Sequence, residues 1–232
     1  DVNFQTEKAF KWVSTYARKW NAVSVEATAF ANYIFDYIYL RAGGITQTLR
    51  GYFPYFRYAQ TDALFLGGDL EASWRIRPHV MIEGKASLLR VSDERNDDLL
   101  VFMPPNRYSL GLRWEEHGRL GLQGMYVSAR MQLVGRRRSA PRVITPRQFL
   151  DAVANGNDPL GGSSENFDFV EAPSAYWLGQ AAVGFSTGQK VRYDVRISVE
   201  NVFDNSYREY TNRFRYYADE LGRNFIISMK CI

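Results

Sequence analysis

Apolar and polar residues alternate one for one along most of this chain. That two-residue period permits only extended strands with one apolar and one wet face. The clearest case sets Val191, Tyr193, Val195, Ile197 and Val199 against Arg192, Asp194, Arg196, Ser198 and Glu200. Leu70, Ala72, Trp74 and Ile76 likewise oppose Asp69, Glu71, Ser73 and Arg75, and Val80, Ile82, Ala86 and Leu88 oppose Glu83, Lys85 and Ser87. Val23, Val25, Ala27, Ala29 and Ala31 face away from Ser24, Glu26, Thr28 and Asn32, as do Met125, Val127, Ala129, Met131 and Leu133 from Tyr126, Ser128, Arg130 and Gln132. The pattern predicts nine strands, over 7–18, 22–37, 56–75, 80–91, 107–115, 120–134, 174–186, 191–203 and 223–232.

Two architectures share this alternation, a soluble all-β domain and a transmembrane barrel. The connections separate them. Short links at 19–21, 76–79, 116–119 and 187–190 alternate strictly with long ones at 38–55, 92–106, 135–173 and 204–222. Outer-membrane barrels keep tight turns on the periplasmic side and long loops outside. A Greek-key sandwich has no reason to keep that parity. Several strands also exceed the five or six residues usual in soluble sheets and match the roughly 9–11 of a tilted membrane strand. The expected fold is therefore all-β, an antiparallel transmembrane β-barrel portion of about nine long strands.

Aromatics make up 15% of the 232 residues and fall where such a barrel would place them. Trp20, Trp74, Trp114, Phe185 and Tyr193 lie near the short turns, and Tyr33, Phe35, Trp177, Phe203 and Phe225 near the long loops, resembling two interfacial girdles. The longest loop carries a helix signature: Thr145 as N-cap, Pro146 at the first helical position and Gly156 beyond Asn155, with Phe149, Leu150 and Val153 on one face. A short helix packed over the barrel mouth is expected there.

Several function classes drop out. The longest uncharged stretch, 172–189, is broken by Pro173, Gly179, Gln180 and Gly184, so it is no spanning helix. A single cysteine, Cys231, excludes an internal disulfide framework and reads as a small hydrophobe at the end of a strand. The net charge of +4 is spread through strands and loops rather than massed on one surface, which argues against nucleic acid as a partner. The two histidines, His79 and His117, fall in separate short turns, so neither forms a Ser-His catalytic pair. Gly67-Gly68 and Gly161-Gly162 are isolated pairs, not a phosphate-cradling loop. No catalytic residue, metal ligand or cofactor is expected. No signal peptide opens at Asp1, so on the barrel reading the N-terminal part is expected to lie elsewhere.

The final segment, ISVENVFDNSYREYTNRFRYYADELGRNFIISMKC, closely resembles the closing segment of TonB-dependent outer-membrane receptors. Val199-Glu200-Asn201-Val202-Phe203-Asp204 matches that family's V-x-N-hydrophobic-F/L-D strand, followed by Tyr207 and Tyr210 and then Gly222-Arg223. FQTEKAFKWVSTY (4–16), ATAFANYIFDYIYL (27–40) and YAQTDALFLGGDLEASW (58–74) are similar to three further strands of the family, with Thr6, Gln60 and Asp69 departing from its usual residues. The chain also ends on Lys230-Cys231-Ile232, where such barrels usually end on an aromatic. The resemblance implies the C-terminal part, 1–232, of a 22-stranded barrel whose plug domain and earlier strands are absent. It implies nutrient uptake at the bacterial outer membrane, driven by TonB through the plug, for an iron chelate, cobalamin or oligosaccharide. A general porin or adhesin barrel and a soluble β-sandwich binding domain are the alternatives.

On this reading Glu26, Asp69, Glu71, Glu83, Lys85, Arg113, Arg130, Arg192, Arg196 and Glu200 line the lumen, pairing with one another and with the plug. Arg136, Arg137 and Arg138 open the longest loop and suit either anionic lipopolysaccharide or an anionic substrate. Two aromatic rims, Tyr52, Phe53, Tyr55, Phe56 and Tyr58 in one loop and Arg213, Phe214, Arg215, Tyr216 and Tyr217 in another, suit a planar or chelated ligand or plain loop packing.

Overall fold

The computed structural model describes residues 4–116, 123–162, 165–187 and 191–231. Its main element is one antiparallel meander. Six strands come first: β1 (Lys8–Lys19), β2 (Val23–Thr48), β3 (Gly51–Arg77), β4 (Val80–Asp93), β5 (Arg107–Glu116) and β6 (Gln123–Val134). The longest loop follows, with a parallel two-stranded pair, β7 (Arg142–Val143) and β8 (Phe167–Asp168), around helix α1 (Pro146–Ala154). Strands β9 (Tyr176–Thr187), β10 (Tyr193–Glu200) and β11 (Asn224–Cys231) complete the sheet, in the order β1-β2-β3-β4-β5-β6-β9-β10-β11. The nine strands form a single sheet that does not close on itself, and the small β7–β8 pair lies against the end of β2. No helix among the described residues is long and apolar enough to cross a membrane.

The register preserves the two faces read from the sequence. Ile197 pairs with Val183 and Ile227, and Leu112 with Ile82 and Ala129, so one face presents an unbroken apolar band. That band is uncovered: Leu110, Leu112, Ile197 and Ile227 are 62%, 51%, 42% and 76% exposed. Trp20, Trp74 and Tyr193 toward the short turns, and Phe35, Trp177, Phe203 and Phe225 toward the long loops, are exposed as well.

One expected loop is a strand. Residues 38–55 continue the ladder as a ribbon, Tyr37 pairing with Thr61 and Thr48 with Gly51, with a turn at Leu49-Arg50. The two-residue period failed there because bulges interrupt it. The register shifts between Ile34 and Tyr37, where Asp36 takes φ 54°, and again between Ala42 and Gly44. Each extra residue flips the faces beyond it. The turns at 116–119 and 187–190, and His117 with them, lie partly or wholly outside the described residues. Helix α1 forms as expected, with a reciprocal Thr145–Gln148 capping box. Phe149 packs on the buried cluster around Ala42, Phe167 and Phe169, while Val153 stays exposed.

The closing motif has a mechanical basis. Asn201 adopts φ 48°, a left-handed geometry that asparagine tolerates, and its side chain donates to Asn205 O at 2.8 Å and accepts from Asn205 N at 3.0 Å. Asp204 Oδ1 then accepts from Arg223 N at 2.7 Å, and a Cβ on Gly222 would stand 2.7 Å from that same oxygen. The motif thus bends the chain out of β10 and fixes where it re-enters the sheet as β11. Asn201→Ala removes both side-chain bonds and the left-handed tolerance, and should cost about 2–3 kcal/mol. Hydrogen exchange across 201–224 is the readout, and unchanged protection there would refute this role.

Candidate functional site

The inner face carries the predicted charges, and several of them pair. Lys85 Nζ meets Glu71 Oε2 at 2.8 Å, Arg130 Nη2 meets Glu83 Oε2 at 3.4 Å, and Ser87 Oγ donates to Asp69 at 2.6 Å. Arg113 bonds Glu115 at 2.6 Å and stacks 3.8 Å above the Tyr126 ring, which itself covers Gly184. Arg192 bonds Asp194 at 2.8 Å. Register places Glu26 beside Glu71, and sets Glu83, Gly111, Arg130, Gln180 and Glu200 in one row. Arg196 joins that row's cleft. Such half-exposed pairs are each worth about 0–1 kcal/mol. Their spacing makes a wet wall of mixed charge rather than a reactive centre.

The mouth is built differently. Three loops fold onto the β2–β3 ribbon around an aromatic cluster: Phe56 lies 5.4 Å from Phe102, 5.8 Å from Phe169 and 5.7 Å from Tyr216. The Phe56–Tyr216 contact joins the two rims that the sequence read separately. Beneath it Arg215 and Asp168, both 1% exposed, form an ion pair. Tyr216 donates to the second Asp168 oxygen at 2.7 Å and accepts from Arg215 at 3.0 Å. Arg215 also sits over the rings of Tyr216, Tyr210 and Phe102 at 4.5, 4.7 and 5.7 Å. Burial pushes the Tyr210 hydroxyl up to about 12, the Asp168 charge adding to the effect. Burial and the same carboxylate raise Tyr216 too. Both phenols are therefore neutral near pH 7: Tyr216 donates to Asp168, while the buried Tyr210 hydroxyl meets no partner among the described residues.

Elsewhere the loops are stitched by polar contacts. Thr61 donates to the buried Asp93 at 2.5 Å, Arg95 reaches Asp36 at 3.1 Å and Asp62 at 2.8 Å, and Arg107 holds Glu209 at 2.7 Å. Tyr39 donates to Asn166 at 3.2 Å.

The predicted site residues divide accordingly. Tyr52, Phe53, Tyr58, Arg213, Phe214 and Tyr217 are exposed at the mouth, as are Arg136 and Arg138 at the rim. Tyr55 is partly enclosed, its ring filling the space over Gly43 and its hydroxyl accepting from Arg57 at 2.7 Å. Arg137 and Arg215, expected on the outer rim, are buried and bind backbone or carboxylate oxygens instead. Sequence reading missed Phe102, Phe167, Asp168 and Phe169, and took Tyr210 only as part of the closing motif. The alternation Phe167-Asp168-Phe169 was the one local signal available. Among the described residues no group of three or more His, Cys, Asp or Glu gathers at metal-binding distance.

Residues 5–202 match the family model "TonB dependent receptor-like, beta-barrel". No curated protein sequence matches the chain. Among solved structures it is similar to the copper transporter OprC, at 18% identity and TM-score 0.67, over 94% of this chain and 30% of that one. It is also similar to the ferric yersiniabactin uptake receptor FyuA of Yersinia pestis, at 17% identity and TM-score 0.58, over 97% and 30%. A third is the ferripyoverdine receptor of the outer membrane of Pseudomonas aeruginosa, at 16% identity and TM-score 0.59, over 96% and 27%. The chain thus spans under a third of the length of each of these proteins.

Removing either partner of the Arg215–Asp168 pair leaves a buried charge uncompensated. Arg215→Met or Asp168→Leu should each cost about 3–5 kcal/mol, and the double replacement less than their sum. Proteolysis within 135–175 and 204–222 should speed up in the single variants while the sheet persists. Additive losses would show that the two side chains act independently.

Proposed function

This chain belongs to the TonB-dependent receptor β-barrel family, and from that premise we propose that it forms the closing arc of an outer-membrane receptor importing a scarce nutrient. The family is one of transport receptors rather than enzymes. The observation that carries the proposal is the uncovered apolar band, with Leu110, Leu112, Ile197 and Ile227 backed by a charged inner face. In water such a patch would aggregate, whereas against hydrocarbon it needs no cover. The free edges of β1 and β11 point the same way, because strand edges are not tolerated within a bilayer. The remaining strands of the receptor supply their partners, and its plug domain meets the wall of Glu71, Glu83, Lys85 and Arg130. TonB acts through that plug from the periplasmic side, which places the short turns inside and the long loops outside.

Of the candidate cargoes, a ferric chelate has the most support. Arg213, Phe214 and Tyr217 stand exposed within five residues of one another at the outer mouth. Such a group suits a planar, anionic chelate. Two of the similar structures are receptors for ferric chelates by their own descriptions.

Two measurements test the proposal. Ile197→Arg should destabilise the bilayer-embedded receptor by roughly 2–4 kcal/mol in urea titration, near the value for the midplane of a barrel. Arg196→Ile, one residue away on the inner face, should cost much less. Equal tolerance of the two would sink the membrane assignment. For the cargo, Arg213→Ala should weaken ferric-chelate binding about fivefold, the loss of one charged contact of about 1 kcal/mol. Unaltered affinity for every ferric chelate tried would remove that substrate class.

A further inference from the structure

Where β5 begins at Arg107, the upper end of β4 runs on paired with β3 but without a strand on its other side, and two side chains fill the gap there. Asn106 Oδ1 accepts from Leu89 N at 3.1 Å, and Arg137 Nη1 donates to Leu89 O at 2.6 Å and Pro104 O at 3.2 Å. Arg137 Nε donates to Ser139 O at 3.3 Å. The residue is only 6% exposed, and its remaining nitrogen, Nη2, is buried without a partner. All its bonds go to backbone carbonyls, so no carboxylate neutralises it.

Beside Arg137 lies a cleft of about 590 Å³ whose lining includes Arg90, Arg136, Arg138 and Tyr108 and no acidic residue. Arg136 shares its charge with the exposed Glu171 at 3.1 Å. Arg90 and Arg138 are exposed and meet no acid among the described residues. Four guanidiniums around one concavity repel each other unless an anion sits among them.

The position of the cleft identifies the anion. Arg90 pairs with Leu66 and follows Leu88 on the outward face, while Tyr108 belongs to the outward row of Leu110 and Leu112. The cleft therefore opens at the upper border of the apolar band, away from the mouth. We infer that it holds a phosphate of an outer-leaflet lipopolysaccharide, with Arg90 and Arg138 as its outer clamps and Arg137 as its floor. The inference rests on the outer-membrane reading above. It adds a lipid site whose two clamps, Arg90 on β4 and Arg138 in the loop after β6, are 48 residues apart in the chain.

The test uses the full receptor carrying this sequence, extracted in detergent and analysed by native mass spectrometry. The wild type should retain phosphorylated lipid A and should not retain dephosphorylated lipid A supplied in its place. Arg90→Gln with Arg138→Gln should weaken retention about thirtyfold, at about fivefold per lost surface cation, and the Lys pair should restore part of it. Inorganic phosphate at millimolar concentration should leave the lipid bound. Full displacement by inorganic phosphate would make this a free-anion site and overturn the lipid assignment. Equal retention of dephosphorylated lipid, or unaltered retention by the Gln pair, would overturn it as well, as would lost ferric-chelate binding with lipid retention intact. Heat-modifiable migration of the Gln variant reports barrel assembly. An assembled variant with unchanged lipid therefore refutes this site alone, whereas equal tolerance of Ile197→Arg and Arg196→Ile refutes the membrane reading beneath it.

Discussion

A peptide group facing hydrocarbon without a hydrogen-bond partner costs several kcal/mol, and no water is at hand to relieve it. The nine-stranded ladder answers that demand along its whole span, every strand pairing with its chain neighbour in one meander. The same demand explains the two side-chain substitutes at the top of β4, where Asn106 and Arg137 stand in for a missing strand at Leu89. It also makes β1 and β11 incomplete as they stand, since each offers one free edge. Most of the architecture follows from a backbone that has to be paired before any side chain is chosen.

With the ladder in place, side chains divide by parity. Outward positions are free to be uniformly apolar, because lipid accepts them at no packing cost. Inward positions carry charges of both signs, with Glu71 on Lys85 and Glu83 on Arg130. Glycines appear where an inward ring needs room: Tyr126 lies over Gly184 and Phe30 over Gly67. At the mouth the logic reverses. There the loops must build a core of their own, and they do so from Phe56, Phe167, Phe169 and Tyr216 around one buried ion pair.

This contrast sets what could be read from the sequence. The nine strands and the parity of their connections were legible because a period of two is a local property, visible in any ten residues. Helix α1 was legible because Thr145 and Pro146 mark its start and Gly156 its end within twelve positions. The β2–β3 ribbon was hidden by its bulges, which reset the period at Asp36 and Gly43. Burial of Arg137 and Arg215 was hidden for a different reason. A guanidinium goes inside when distant segments leave oxygens for it, Leu89 and Pro104 in one case and Asp168 in the other. Nothing beside either arginine announces those partners. Arg90 obeyed the outward parity of its strand, but its cleft exists only once the loop after β6 folds back beside it.

Beyond the bulge at Asp36 the β2–β3 ribbon projects from the sheet. From Tyr37 to Thr48 it extends about 40 Å at roughly 3.3 Å per residue, and it carries Tyr52, Phe53 and Tyr58 on a hydrogen-bonded frame. A slack segment of that length would surrender roughly 1–2 kcal/mol of backbone entropy for each residue immobilised on contact with a ligand. Here folding has already taken that loss, so whatever lands on those rings meets a surface with little freedom left to give up.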